Sequence, residues 1–188
     1  MNNIVIEKLT DKNFNEYSLD NFIRYQKVKE CWRFVGEEWK LVTNEYIEDW
    51  DLKKRREIAA SICKLLGSEW TAYGAFLGEK IVGYIVISNK LFGSNAQYLE
   101  LVLFHVSQPF RRMGIGTGLF RAICCEARLL GAEKLYISAH SSKESQAAYR
   151  KLGCVDAEEI NREIAENEPF DVQMEYVLSD NHLTFPLL

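Results

Sequence analysis

Between Gln97 and Leu130 an apolar strand, two arginines, three spaced glycines and an amphipathic helix follow one another, and few folds accommodate that order. The strand closes at Val106, Arg111 and Arg112 follow, and then come Gly114, Gly116 and Gly118. Leu119, Ala122, Ile123, Ala127 and Leu130 then fall on one helical face. Glycine lets a backbone bend tightly and lets a ligand approach its N–H groups closely. A helix start offers unpaired N–H groups and a partial positive charge, so the turn suits a pyrophosphate, with Arg111 and Arg112 adding charge. A P-loop needs Gly-Lys-Ser/Thr at its end, and Gly116-Thr117-Gly118 has no lysine. A dinucleotide fingerprint needs GxGxxG, and its third glycine position holds Leu119. The plain alternative is a glycine-rich connection that binds nothing.

Around this turn the pattern reads as mixed α/β. A strand is expected at Ile4 to Leu9, and a helix from Asp11 to about Lys29 with Phe14, Tyr17, Phe22 and Tyr25 spaced for one face. A second helix runs from Leu52 to Leu66, with Gly67 where a C-terminal cap belongs. Strands follow at Trp70 to Leu77, Lys80 to Ser88 and Gln97 to Val106, the first two joined by a Gly78-Glu79 hairpin turn. Then helix Gly116 to Leu130, strand Lys134 to His140, helix Lys143 to Leu152, and strands near Val155 to Glu159 and Val172 to Leu178 alternate. The 188 residues, 47% of them hydrophobic, form one compact domain in this reading. The fold class expected is α/β (α+β), a mixed central sheet of about six to seven strands with helices on both faces.

Arg111-x-x-Gly114-x-Gly116 resembles the coenzyme A signature of the GNAT N-acetyltransferases, Gln/Arg-x-x-Gly-x-Gly/Ala. Val106-x-x-Pro109-x-Arg111 precedes it in the family manner, and Tyr149-Arg150-Lys151-Leu152-Gly153 resembles the family's Tyr-x-Lys-Leu-Gly helix end. The likeness covers Leu99 to Cys154. It implies a GNAT-like domain over 1–188, with an acetyl-CoA-binding core at about 97–154 and a variable acceptor-side part at about 10–67. It further implies that Arg111, Arg112, Met113, Gly114, Ile115, Gly116 and Thr117 hold the pyrophosphate. Backbone groups at Phe104 and Val106, on a strand that splays from its neighbour, would hold pantetheine, and Ser142 and Ser145 would contact the cofactor. The family often has Asn where Ser142 stands.

Acetyl transfer to an amine needs a neutral amine close to the carbonyl, donors for the oxyanion and a proton for the departing thiolate. By its place in the motif, Tyr149 is implied as that general acid; the alternative is a core tyrosine. Ser141 and Glu144 read as a capping box, starting the helix near Ser142 and setting Ser145, Ala148, Tyr149 and Leu152 on one face. Glu100 is the one charge in an otherwise buried strand. Burial would raise its pKa towards that of a base working near neutral pH, or else it faces solvent or pairs with a lysine. The strand Glu100 to Val106 resembles that of the histone-acetylating branch, where a glutamate acts as base, often through water. His105 reads as structural, and His140 as closing a strand beside the cleft. Cys124 and Cys125 read as small packing residues.

Trp32, Trp39 and Trp50 cluster with Tyr25, Phe34 and Tyr46. Between Glu37 and Asp51 stand six carboxylates (Glu37, Glu38, Glu45, Glu48, Asp49, Asp51) against Lys40, a local charge of −5. Two readings stay open: a solvated loop, partly paired with Lys53-Lys54-Arg55-Arg56, or an aromatic and acidic lid attracting a cationic amine. The function expected is N-acetyl transfer from acetyl-CoA to a primary amine of a cationic small molecule or peptide. A non-catalytic acyl-CoA sensor is the rival, and a nucleotide-binding domain a weaker one. No metal is expected, since five cysteines without CxxC spacing suggest reduced thiols in a cytoplasm. Net charge of −4 speaks against nucleic acid. Neither an apolar run of membrane-spanning length nor a signal-like n-region at Met1-Asn2-Asn3 is seen. A homodimer is left open.

Overall fold

The computed structural model describes residues 4–178, so Met1-Asn2-Asn3 lie outside the described residues. Among these residues the chain forms β1 (Ile4–Lys8), β2 (Tyr25–Val35), β3 (Glu38–Asp49), α1 (Leu52–Leu65), β4 (Trp70–Leu77), β5 (Lys80–Ser88) and β6 (Tyr98–Val106). A 3₁₀ turn, Gln108–Phe110, leads into α2 (Ile115–Leu129), β7 (Lys134–Ala139), α3 (Lys143–Leu152), β8 (Val155–Asp156), α4 (Arg162–Asn167) and β9 (Val172–Val177). Seven strands make one sheet in the order β1-β4-β5-β6-β7-β9-β8, while β2 and β3 pair only with each other. The pair β6–β7 is parallel and the other pairs are antiparallel. This is the mixed sheet expected.

Helices cover both faces. The amphipathic α2 buries Leu119, Phe120, Ile123 and Ala127 against Ala75, Val82, Ile85, Leu99 and Leu135. Gly83 permits the close approach, since a Cβ there would stand 3.0 Å from Leu119 Cδ1 and 3.1 Å from Ile115 Cγ2. On the other face α1 lays Ala59 and Ile62 against Ala72, Phe76, Tyr84 and Val86.

Two corrections concern the N-terminal third. Residues 11–21 form turns rather than a helix, and β2 begins at Tyr25. Short polar side chains capture the backbone there: Asn13 Oδ1 accepts from Thr10 N–H (2.8 Å), Asn15 Oδ1 from Tyr17 N–H (2.9 Å), and Ser18 Oγ from Asn15 N–H (2.9 Å). Such bonds compete with a helix ladder. Phe14 and Phe22 are still buried, but Tyr17 is 57% exposed. The acidic, aromatic stretch from Glu37 is not a loop but strand β3, returning along β2 from a turn in which Gly36 (φ 58°) and Glu37 (φ 66°) are both left-handed. Two successive positive φ angles are what a two-residue hairpin turn requires. Smaller differences are α4, which the sequence reading omits, and the cap of α3. There Ser142, not Ser141, is the N-cap, accepting from Ser145 N–H.

A buried carboxylate fastens the base of the β6–β7 joint. Glu175 on β9 is 2% exposed and accepts from Tyr98 Oη on β6, from Lys134 Nζ on β7 (2.7 Å) and from Glu158 N–H (3.1 Å). Burial pushes its carboxyl up, but the bonds from Lys134, Tyr98 and Glu158 outweigh it and hold the group below its ordinary range. Above its unfolded pKa the ionised group therefore stabilises the fold, and that contribution fades as pH falls through the depressed value. Lys134→Met should strand the charge and cost about 3 kcal/mol at neutral pH. Denaturant melts should show this penalty shrinking in acid, where Glu175 becomes neutral; a penalty independent of pH would refute the clamp.

Candidate active site

The sheet opens where β6 leaves β7. Parallel pairing joins Tyr98 to Lys134, Leu99 to Leu135 and Glu100 to Tyr136, then stops, while β6 continues to Val106 against β5 alone. The β5–β6 register slips between Val86 and Ile87, which face Leu103 and Leu101 and leave Val102 as the extra residue. A bulge breaks the alternation of side chains. Leu99 and Leu101 before it, and Phe104 and Val106 after it, consequently share the α2 face. Glu100, Val102 and His105 share the opposite face, although Glu100 and His105 are an odd number of residues apart.

On the α2 face lies the glycine turn. Arg112 (φ 63°) and Gly114 (φ 81°, ψ −8°) are left-handed, and Gly114 is the N-cap of α2, with no side chain capping that end. Its first N–H groups thus have no acceptor from their own helix. The three glycines answer three different demands. Gly114 supplies the left-handed cap. A Cβ on Gly118 would come within 2.6 Å of Ile6 Cδ1, so this glycine serves packing against β1. A Cβ on Gly116 would meet only Phe104 at 3.5 Å and Val106 at 3.8 Å, ordinary contacts, so the fold itself admits a larger residue there. Met113, Arg112 and Thr117 are exposed, whereas the Ile115 side chain is buried in the core. Arg111 bends back, its Nε donating to Val106 O at 3.0 Å, and burial lowers its pKa.

Tyr149 stands on α3 across from Phe104, ring centroids 6.2 Å apart. Among the described residues no protein group is bonded to its hydroxyl. Burial, then Cys154 and Asp171, raise its pKa, so the phenol keeps its proton at neutral pH. Ser145 is partly buried, but Ser142 is fully buried, its hydroxyl accepting from Gln26 Nε2 (3.0 Å) and lying 2.9 Å from Ser145 Oγ.

The opposite face of β6 looks into a cleft of about 670 Å³. Glu100 lines it beside Glu163, and burial first, then Glu163, raises the Glu100 pKa. His105 and His140 line it too. His105, edge-on to Trp50 (4.8 Å) and Tyr84 (5.6 Å), is pushed down to about 3 by burial and by Arg24, Arg111 and His140, and is neutral. Glu48, Glu168 and Asp171 complete an acidic wall, with Arg24 and Lys90 as its cations. Burial, Glu168 and Glu48 push Asp171 up to about 6. Glu48 is bridged to buried Arg24 at 2.8 Å, and Arg24 lies over Trp50 at 5.5 Å.

Of the acidic stretch singled out in the sequence, Glu48 faces this cleft, while Glu37 and Glu38 sit at the hairpin tip and Asp51 caps α1 through Lys54 N–H. Arg56 pairs with Asp20, and Arg55 donates to Asp20 O and Phe22 O, so the basic run does not neutralise the hairpin. Glu163, Glu168 and Asp171 were missed because they follow α3, where no periodic pattern marks a cleft wall. Tyr149 and the turn therefore occupy one face of the parted strand and Glu100 the other, with the gap between β6 and β7 joining them. Among the described residues no cluster of His, Cys, Asp or Glu is arranged to hold a metal ion, and no helix is long and apolar enough to cross a membrane.

Comparison with known proteins accords with this geometry. The chain is similar in structure to nourseothricin acetyltransferase, with a TM-score of 0.68 and 13% identity over 94% of this chain and 99% of that one. It is also similar to the ribosomal-protein-S18-alanine N-acetyltransferase from Escherichia coli (TM-score 0.57, 13% identity, 98% of this chain and 100% of that one). A third likeness is to an aminoglycoside 6′-N-acetyltransferase complexed with coenzyme A (TM-score 0.51, 17% identity, 66% and 80%). At these identities the likeness is one of fold. No curated protein sequence matches the chain. The model of the acetyltransferase (GNAT) family matches residues 28–154, more than half of the sequence, and the chain belongs to that family.

Proposed function

We propose that this acetyltransferase moves an acetyl group from acetyl-CoA directly to a primary amine of a cationic small molecule or peptide. One observation carries the reading: β6 parts from β7 between an uncapped glycine turn with a protonated tyrosine on one face and a carboxylate-lined cleft on the other. The residues fit the donor. Gly116 leaves open the space a side chain would fill, and the N–H groups at the start of α2 suit a pyrophosphate, with Arg112 exposed beside them. Met113, Gly114, Ile115 and Thr117 would contribute through their backbone. Beyond Glu100 the β7 side of β6, at Phe104 and Val106, has no strand to pair with and would receive the pantetheine arm. Arg111 would brace the turn against Val106 rather than bind phosphate through Nε. Ser145 is the partly buried candidate on α3, with Ser142 holding it in place. A single domain would carry both substrates.

Five carboxylates against Arg24 and Lys90 favour a cationic acceptor. Glu100, with its raised pKa, would take a proton from the acceptor ammonium, directly or through a water. The amine nitrogen then bonds to the acetyl carbon, and the carbon–sulfur bond breaks as Tyr149 Oη protonates the sulfur. The second proton, shed by the acylated nitrogen, restores the Tyr149 phenol, while the proton on Glu100 leaves to solvent. Positioning the two reactants across one gap supplies most of the acceleration.

Calorimetry on glycine variants tests the donor side. Gly116→Val, which exceeds the Gly/Ala the signature allows, should melt close to wild type yet bind acetyl-CoA at least about tenfold more weakly, roughly 1.4 kcal/mol. Gly114→Ala should instead lose about 1 kcal/mol of stability, because alanine resists the left-handed cap. Unchanged affinity in Gly116→Val would remove the turn from the site.

Thiol release from acetyl-CoA across a panel of cationic and neutral amines tests the reaction. Tyr149→Phe should lower kcat roughly 10²-fold with acetyl-CoA affinity little changed. With Glu100 as base, kcat/KM rises as pH passes up through its raised pKa, and Glu100→Gln should lose that limb. Wild-type turnover by Tyr149→Phe would contradict the general-acid role. Acetyl-CoA binding without thiol release from any amine would contradict the transfer itself.

A further inference from the structure

A directional hydrogen-bond chain runs from the β7–α3 junction into the β2–β3 hairpin, and His140 is its middle link. The Ser142 N–H donates to His140 Nδ1 at 3.2 Å. A nitrogen that accepts carries no proton, so the neutral ring is the Nε2–H tautomer, and Nε2 faces Tyr46 Oη at 3.0 Å. With its oxygen accepting from Nε2–H, the Tyr46 hydroxyl can donate to Cys31 Sγ at 3.9 Å, which also accepts from Asn44 Nδ2 at 3.7 Å. Each donor meets an acceptor, and such chains reinforce one another.

The hairpin needs such a link. It pairs with no strand of the central sheet, and a two-stranded ribbon alone is marginal in water. Its inner strand is stitched directly to the junction: Cys31 bridges Ser142, Trp32 N–H donates to Ser141 O (2.8 Å), and Arg33 donates to Ser141 Oγ (2.6 Å). Its outer strand β3, which brings Glu48 to the cleft, reaches the junction through Tyr46 and His140.

We propose that His140 is a positioning residue that, as the neutral Nε2–H tautomer, fastens β3 to the start of α3 and so holds the acceptor wall in register with the cofactor-side helix. This rests on the acceptor cleft of the proposed reaction. A proton on Nδ1 would set donor against donor at the Ser142 N–H, whereas Nε2–H would keep Tyr46 and pair with Glu48 Oε1, 3.6 Å away. The groups acting on the ring are Glu48 and Tyr46 from β3, Arg24 and Arg33 from the chain leading into and along β2, His105 from β6, and Glu168 after α4. Burial disfavours the imidazolium, Arg24 and Arg33 add to this, and together they outweigh Glu48 and Glu168, so the pKa is lowered. The ring is therefore neutral at neutral pH, in the form that accepts from Ser142 and donates to Tyr46.

Hydrogen–deuterium exchange of the unliganded protein, read on the peptide Glu38–Asp49, tests the proposal. Tyr46→Phe removes the hydroxyl and keeps the ring; His140→Asn can still accept from Ser142 but is too short to reach Tyr46. Each should speed exchange about fivefold or more, as one lost hydrogen bond implies. The double variant should exchange no faster than the quicker single one, since both break the same link. In turnover assays both should raise acceptor KM while the Kd for acetyl-CoA stays unchanged. Wild-type exchange in either variant, or fully additive acceleration in the double, would overturn the proposal. Because exchange is read without substrate, failure of the acetyl-transfer reading would show separately, as absent thiol release in the wild type.

Discussion

Parallel pairing between β6 and β7 holds for Tyr98, Leu99 and Glu100 and no further, and both halves of the site depend on that short joint. Below it, the Glu175 carboxylate gathers Tyr98, Lys134 and Glu158 N–H and keeps the strands together. Above it, β6 keeps one neighbour and gains one open edge. The bulge at Val102 does the second half of the work. By shifting the alternation it gives Phe104 and Val106 to the turn and His105 to the cleft, while Glu100 looks the same way as His105. A regular strand would put Glu100 and Phe104 on one face and separate Glu100 from His105.

Charge follows the same division. The helix N-terminus, Arg112 and the half-buried Arg111 give the face that carries the turn positive potential. The cleft on the opposite face is walled by carboxylates contributed by three separate parts of the chain: β3, β6 and the segment from α4 to β9. Each segment alone is an unremarkable piece of acidic surface. Their convergence gathers five carboxylates against Arg24 and Lys90 in one cleft, where Asp171 and Glu100 are both held above the ordinary carboxylate range.

The central half of the chain was legible in the sequence because local rules and tertiary demands agree there. From Trp70 to Leu152 the expected strands and helices match the observed ones to within a residue or so, and the glycine turn sits where strand gives way to helix. Agreement fails where side chains bond locally or where an element lacks a buried face. Asn13, Asn15 and Ser18 divert an apolar spacing of helical look into turns. In β3 charged and aromatic residues alternate along a half-exposed ribbon, and that polar composition hid a strand whose Gly36-Glu37 turn was in plain view. The turn could be named as a candidate from its spacing, Glu100 as the lone charge of an apolar strand and Tyr149 from the family resemblance, whereas Arg24, Glu163, Glu168 and Asp171 could not. Nothing local to those residues marks them, because the cleft exists only once the hairpin and the α4 segment close over β6.

The most direct test of the parted strand as the donor site is a backbone amide NMR titration with acetyl-CoA. If the cofactor lies along the free edge of β6 and over the start of α2, shifts and broadening should concentrate at Leu101–Val106 and at Arg112–Thr117. Amides of the α1 face should stay still. Perturbations that spare both stretches, at concentrations where calorimetry registers binding, would contradict the account.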